Sequence, residues 1–188
     1  MTKGNLTSAV YETGLKYKEL NNKPEIQILI EVEEENMVLF FDKEVITMIL
    51  DNLISNALKY TEKGYIRIRA EWVTENGIRY AQLSVEDTGY GIGQDALAHI
   101  FERYYQESGE HQASGTGIGL ALVKNLVKLH EGDIQVKSLP EIGTTFYLRL
   151  PAGNTYPQAL HGEDIHTDKQ DGKEEEPIEK QEVADKDK

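Results

Sequence analysis

The spacing of apolar residues changes several times along the first 151 positions, and each change marks an element. Leu6, Val10, Tyr17 and Leu20 recur at helical spacing, with Gly14 weakening the helix and Pro24 ending it. Residues 26–32 and 37–41 then read as two strands joined by the acidic turn Glu33-Glu34-Glu35-Asn36. A helix is predicted over residues 43–60. Two alternating segments follow, with Ile66, Ile68, Ala70 and Trp72 on one face of the first and Ala81, Leu83 and Val85 on one face of the second. Glu75-Asn76-Gly77 between them is a hairpin turn. A short helix near 94–99 leads through a loop containing Gly, Ser and Gln to an apolar helix over 117–130, and strands at 133–138 and 143–150 close the pattern. About six strands and four helices, with hairpin-like antiparallel pairs and helices covering one face, describe a mixed α/β domain.

Beyond Pro151 the periodicity is lost. Residues 161–188 contain eleven acidic and five basic residues and only Ile165, Ile178, Val183 and Ala184 as apolar ones. A segment of this composition is expected to be a disordered acidic linker or tail, because it buries too little surface to offset chain entropy. The organisation read from the sequence is thus a leading helix or linker over 1–22, a globular domain over 23–151 and a tail over 152–188.

Charge and composition narrow the chemistry. Of 188 residues, 20 are Lys or Arg and 33 are Asp or Glu, a formal charge of -13. That balance disfavours nucleic acid and anionic membrane surfaces as partners, since both demand a basic face. With no cysteine, disulfides, thiolate zinc sites and a cysteine nucleophile are excluded. No apolar run approaches the roughly 20 residues of a membrane helix, and residues 1–20 hold no signal-peptide core.

Four features remain that can carry chemistry. On the helix over 43–60, a rotation of about 100° per residue sets Asn56 between Val45 and Ile49, with Asn52 about 20° to the other side of Val45 and Lys59 about 20° beyond it. Two carboxamides are therefore expected to face inward, where they either bond to loop backbone or offer oxygen to a hard cation such as Mg²⁺. Asp87 continues the alternation of Ala81, Leu83 and Val85, so its carboxylate leaves the strand on the buried side and requires a cation, backbone donors or a donating ligand. Such a group beside Thr88-Gly89-Tyr90-Gly91-Ile92-Gly93 suits an exocyclic amine; the Asp-Thr-Gly of aspartic proteases needs a second copy, which is missing here. Gly115-Thr116-Gly117-Ile118-Gly119-Leu120 opens the apolar helix and serves either packing or phosphate binding by backbone amides. It lacks the last small residue of a dinucleotide fingerprint and the lysine of a Walker loop. Thr144 shares an inward face with Phe146, Leu148 and Leu150, as a core threonine or a neighbour of Asp87.

In this order the motifs resemble the ATP-binding catalytic domain of sensor histidine kinases, within the superfamily that includes gyrase, heat-shock chaperone and mismatch-repair ATPases. The segment from Asp51 to Thr61 resembles the N box, Asp87 to Ile92 the first glycine box, Ile100 to Gln106 the phenylalanine box, Gly115 to Leu120 the second glycine box, and Gly143-Thr144-Thr145-Phe146 the terminal glycine-threonine element. The resemblance implies a Bergerat-type α+β two-layer sandwich, a mixed and mostly antiparallel sheet with helices on one face, holding ATP and Mg²⁺ beneath a lid over roughly 104–116. Carried over by position, Asn56 ligates Mg²⁺ with Asn52 beside it, Lys59 contacts phosphate and Tyr60 the nucleotide edge. Asp87 accepts the adenine amine, Gly89 and Gly91 admit the base, and Thr144 assists. Gly115, Gly117 and Gly119 hinge the lid and offer amides to the phosphates, and Ile92, Tyr105, Thr116, Ile118 and Leu120 complete the nucleotide-contacting set.

Two departures from the family pattern bear on function. The position that often holds Arg after the second aromatic of the phenylalanine box is Gln106, which leaves Arg103 as the candidate γ-phosphate contact. None of His99, His111, His130, His161 and His166 follows the acceptor pattern of the family, and His130 reads as a favourable C-terminal helix residue. The resemblance therefore implies a fragment that binds Mg-ATP without phosphorylating itself. The acceptor histidine is expected on a separate dimerisation domain, a receiver domain of a response regulator is expected downstream of the acidic tail, and the parent is expected to be a membrane-anchored sensor with this domain in the cytoplasm. Serine protein kinases and ATP-hydrolysing switches of the same superfamily are the alternatives. The hydrolytic one needs a water-activating carboxylate, but Asp51 projects about 240° from Val45, away from the pocket side.

Overall fold

The structure is a computed structural model and describes residues 1–105 and 119–152. Its elements are β1 (Thr2–Asn5), α1 (Leu6–Leu20), β2 (Ile26–Val32), β3 (Val38–Phe41), α2 (Lys43–Tyr60), β4 (Gly64–Glu75), β5 (Ile78–Asp87), α3 (Gln94–Leu97), α4 (Gly119–Leu129), β6 (Asp133–Leu139) and β7 (Gly143–Pro151). Five strands form one sheet in the order β2-β4-β5-β7-β6, and β1 and β3 form a separate two-stranded sheet. All pairs are antiparallel except β2 with β4.

The alternation read from the sequence is realised. Ile66, Ile68, Ala70, Ala81, Leu83, Val85, Phe146, Leu148 and Leu150 are all at most 2% exposed and form the helix-facing side of the sheet. Asn76 and Gly77 make the two-residue β4–β5 turn with φ of 52° and 76°, the left-handed pair that matches strand twist in a tight hairpin. Against the sheet lie α1, which contributes Leu6, Ala9 and Val10, and α2, which contributes Ile46, Ile49, Leu50, Leu53, Ile54 and Ala57. Each large aliphatic buried there is worth about 1.5–3 kcal/mol. From α4 come Ala121, Val123 and Val127.

Caps fix the ends of the helix that carries the asparagines. Asp42 accepts the N–H groups of Glu44 and Val45 at 3.0 and 3.3 Å, and Glu44 and Lys59 complement the dipole at the two ends. Beyond the last turn, Lys23 Nζ donates to the carbonyls of Leu58 and Thr61 at 2.5 and 3.1 Å, so a cation closes the C-terminus.

The structure departs from the sequence reading in three places. Residues 26–32 and 37–41 are not partners: β2 pairs in parallel with β4, and β3 pairs with β1, a seventh strand too short and polar to show a period. Asn5 explains the division, since its side-chain oxygen caps α1 through the Thr7 N–H at 3.0 Å and also takes the Met37 N–H at 3.1 Å. His130 is not a charged helix terminus but a buried neutral imidazole, 2% exposed, with Nε2 accepting the Asp42 N–H at 3.1 Å and Nδ1 facing the Leu126 carbonyl at 3.2 Å. Burial lowers its pKa by penalising the charged imidazolium, against the raising effects of the Leu126 carbonyl and the Asp42 carboxylate. Finally, the buried arc of α2 is centred on Ile46, Leu50, Leu53 and Ala57, so Asn52 and Asn56 stand half-buried at its flank and do not point into the core.

Candidate nucleotide-binding site

The C-terminal end of β5 delivers Asp87 to the interior. Its side chain is 8% exposed, and Oδ1 accepts the Gly89 N–H at 2.9 Å. Burial pushes its pKa up to about 6 against the lowering effect of the Gly89 and Thr144 amides, and the nearby Glu86 carboxylate raises it further. No cationic side chain of the described residues is paired with it. A carboxylate has about four acceptor positions, so the amides leave capacity for a further donor.

Around Asp87 the chain closes on itself through glycines. An added Cβ on Gly89 would lie 2.3 Å from the Tyr60 carbonyl oxygen, and one on Gly143 2.0 Å from the Asp87 carbonyl oxygen. Gly91 has φ +71°, and its Cβ would meet the Leu139 carbonyl at 2.0 Å. These glycines let the loop after β5 lie flat on the end of α2 and on the β6–β7 turn; the Tyr90 N–H donates to the Tyr60 carbonyl at 3.1 Å. The directions kept free of side chains thus face this chain's own backbone.

Register places Thr144 directly opposite Asp87 on β7, and Ser138 opposite Thr144 on β6. Ser138 Oγ lies 2.7 Å from Thr144 Oγ1, accepts the Ile92 N–H at 2.8 Å and is 3.0 Å from the Gly143 carbonyl oxygen. The sequence reading did not single out Ser138, although it continues the inward alternation of Ile134 and Val136. Thr61 was missed as well. It is fully buried, and its Oγ1 has no hydrogen-bond partner among the described residues, 2.9 Å from the Cβ position of Gly89.

On the other wall, α2 meets the start of α4. A Cβ on Gly119 would sit 2.8 Å from Asn52 Oδ1, while Asn52 Nδ2 donates to the Met48 carbonyl at 2.8 Å, so one amide hydrogen is used and the oxygen faces the start of α4. Asn56 makes no side-chain hydrogen bond with the described residues, and Lys59 is exposed one turn on. Tyr105 is half-buried with its ring 5.5 Å from that of His99, and Phe101 meets Phe146 edge-on at 6.3 Å. Arg103 is exposed, its guanidinium over the Tyr104 ring. Gly115, Thr116, Gly117 and Ile118, and most of the expected lid, lie outside the described residues; Leu120 is half-buried in the first turn of α4. Asp51 points away toward α1, where Lys16 Nζ stands 2.6 Å from its Oδ1.

The donors available to a metal are carboxamide oxygens. Among the described residues no three His, Cys, Asp or Glu side chains cluster closely enough to hold an ion. Two neutral carboxamide oxygens on half-buried side chains one turn apart fit a hard cation that keeps waters and takes its remaining ligands from phosphate.

Comparison with known proteins agrees with this geometry. Residues 41–154 match the family model described as histidine kinase-, DNA gyrase B-, and HSP90-like ATPase. The Autoinducer 2 sensor kinase/phosphatase LuxQ of Vibrio harveyi is 41% identical over 140 residues, which is 72% of this chain and 16% of LuxQ. Sensor protein EvgS of Escherichia coli (strain K12) is 34% identical over 118 residues, 62% of this chain and 10% of EvgS. Among solved structures, the catalytic domain of histidine kinase ThkA in a nucleotide-free form superposes with a TM-score of 0.68 at 25% identity, covering 81% of this chain and 97% of that one. Full-length ShkA in complex with AMPPNP gives 0.69 at 26% identity, covering 81% of this chain and 31% of ShkA. The chain thus spans a small part of its curated relatives and nearly all of an isolated catalytic domain. By the match to more than half of its length and by its fold, the chain belongs to the histidine kinase-, DNA gyrase B- and HSP90-like ATPases, as the ATP-binding catalytic domain of a sensor histidine kinase.

Proposed function

We propose that this domain binds Mg-ATP between α2, α4 and the β5 end of the sheet and presents the γ-phosphate to a histidine on a separate dimerisation domain, in a phosphorelay that continues to a receiver domain. The observation that carries this reading is Asp87, a buried carboxylate with unspent acceptor capacity and no cation beside it among the described residues. In it the adenine amine donates to Asp87, Thr144 completes the base edge, and Tyr60 and Ile92 line it. Asn56 and Asn52 hold Mg²⁺ through their oxygens, and Lys59 and the amides at the start of α4 face the phosphates. Bound Mg²⁺ would spread phosphate charge during transfer. The residues of this chain then act by orientation and by neutralising charge, with Arg103 near the γ-phosphate and the attacking imidazole supplied from outside.

The ion pair of Asp51 with Lys16 supports a kinase over an ATP-hydrolysing switch, since it holds the carboxylate nearest the asparagines on the far side of α2. A receiver domain and a membrane-anchored parent belong to the same proposal; LuxQ, named a sensor kinase/phosphatase, and EvgS, named a sensor protein, are several times longer than the matched segment, which leaves room for such parts. Among the described residues no helix is long and apolar enough to cross a membrane. Titrating the chain with ATP in a calorimeter, with and without Mg²⁺, tests the binding step. Incubation with γ-labelled ATP tests the rest: label is expected on an added dimerisation domain and not on the chain alone, and stoichiometric acid-labile label on the chain would refute the separation of acceptor from nucleotide.

A further inference from the structure

The far end of the β4–β5 hairpin carries a reactive pair. Of the nine asparagines in the chain, Asn76 alone is followed by glycine. Asn5, Asn21 and Asn52 spend their carboxamides in hydrogen bonds, whereas among the described residues neither the Asn76 side chain nor the Gly77 N–H has a partner. Both residues are exposed, and nothing lies within 4 Å of where a Gly77 Cβ would be, so no neighbouring group crowds this piece of backbone.

The turn is also set up for ring closure. With φ of 52° and 76° at its two central residues, it is of the I′ type. Rotating only the Asn76–Gly77 peptide converts it to the II′ type, which also closes a two-residue hairpin and keeps φ positive at Asn76. Gly77 takes the change in sign of its φ without a Cβ to resist it. In the II′ form the Gly77 nitrogen swings to the side of Asn76 Cβ, the arrangement a five-membered ring through Asn76 Cγ requires. The pairing of Glu75 with Ile78 and the ladder beyond it stay in place.

We propose that Asn76 is a site of spontaneous deamidation in the folded domain, with water as the only co-reactant. The Gly77 nitrogen loses its proton and bonds to Asn76 Cγ, the Cγ–Nδ2 bond breaks, and Nδ2 leaves as ammonia with that proton. Water then opens the cyclic imide: its oxygen adds to one of the two ring carbonyls, the C–N bond there breaks, and the ring nitrogen takes up a proton. Breakage at Cγ leaves an aspartyl residue at position 76. Breakage at the main-chain carbonyl leaves an isoaspartyl residue, with one extra methylene in the chain. Either product puts a new carboxylate beside Glu75, which is paired with Arg149. The ten residues of β5 separate this turn from Asp87 by about 30 Å, so the change falls at the end of the sheet away from the nucleotide site.

The test is to hold the whole chain folded at mildly alkaline pH and follow each asparagine by peptide mapping and mass spectrometry, with a urea-unfolded sample in parallel. Position 76 is expected to convert ahead of the other asparagines, with matching release of ammonia. Conversion should be about tenfold to a hundredfold slower in the folded chain than in urea, because the flipped turn holds Asn76 in a sparsely populated backbone state. Gly77→Ala should slow the reaction about tenfold or more in both samples, since its Cβ hinders the attacking nitrogen even as it loosens the hairpin. Conversion of position 76 in urea but not in the folded chain, earlier conversion of another asparagine, or a faster reaction in Gly77→Ala would overturn the proposal. If Gly77→Ala does not fold, Asn76→Asp carries the comparison: it should co-migrate with the converted chain in isoelectric focusing, and a mismatch overturns the proposal equally.

Discussion

Replacing Asp87 with Asn is expected to stabilise the nucleotide-free domain while removing its ligand. The carboxyl pKa is raised from 3.8 to about 6, chiefly by burial. A group whose pKa is raised on folding contributes stability that is full below its unfolded value and is lost as pH rises through the folded one. By pH 7 the ionised form therefore costs the folded state about 3 kcal/mol relative to acid conditions. Asparagine removes that charge and keeps an oxygen for the Gly89 N–H, but turns the other oxygen into a donor, a loss of about 1 kcal/mol. The net gain at pH 7.5 is about 1–2 kcal/mol, a rise in melting temperature of about 3–8 °C for a domain of this size. At pH 4 the gain should vanish, because Asp87 is then already neutral. Urea unfolding of both proteins at pH 7.5 and pH 4 measures this, and ATP titration shows whether binding is lost alongside. A variant that is less stable at pH 7.5, or that binds ATP with unchanged affinity, would refute the view of Asp87 as an unpaired acceptor kept for a ligand.

Other expectations follow from the same geometry. ATP affinity should fall as pH drops below about 6, where Asp87 takes up a proton, and Asp87→Asn should lack this component; calorimetry across pH 5–8 reads it. Asn56→Ala is expected to weaken Mg²⁺-dependent ATP binding about tenfold or more while leaving the metal-free affinity nearly unchanged, which titrations with and without EDTA distinguish. His130 has a lowered pKa, so stability should be lost as pH falls below about 6.5, when the unfolded chain binds a proton that the folded one refuses. His130→Ala should remove that slope and cost about 2–4 kcal/mol, since it leaves a cavity and an orphaned Asp42 amide. Two glycine substitutions separate strain from packing. Gly77→Ala, at φ +76° with nothing within 4 Å of the new Cβ, should cost about 1–2 kcal/mol. Gly91→Ala, at φ +71° with the Leu139 carbonyl 2.0 Å away, should cost more than about 3 kcal/mol in the same denaturation assay.

Where an element carries its own period, the sequence sufficed. The inward faces of β4, β5 and β7 follow from strict alternation of side chains along a strand, and with them the inward placement of Asp87 and Thr144. The Asn76-Gly77 turn follows from two adjacent residues that tolerate positive φ. The spacing of Asn52, Asn56 and Lys59 on one side of α2 was legible for the same reason, but their depth was not. A helical wheel gives angles and not the direction of the core, and that direction is set by what α1, α4 and the sheet bury from outside.

What the sequence by itself determined is therefore the set of local patterns, the order of the motifs and the family to which they belong. Tertiary structure decided which strands pair, because β2 reaches β4 across the whole of α2 and no local signal encodes a parallel partner. It also decided that His130 is neutral, since its environment comes from the cap of α2, 88 positions away in sequence. And it brought Ser138 to Ile92, 46 positions apart, where a serine with no distinguishing context joins the loop after β5 to Gly143 and Thr144 by hydrogen bonds. Periodicity is a property of neighbours along the chain, whereas protonation and hydrogen-bond polarity depend on neighbours in space.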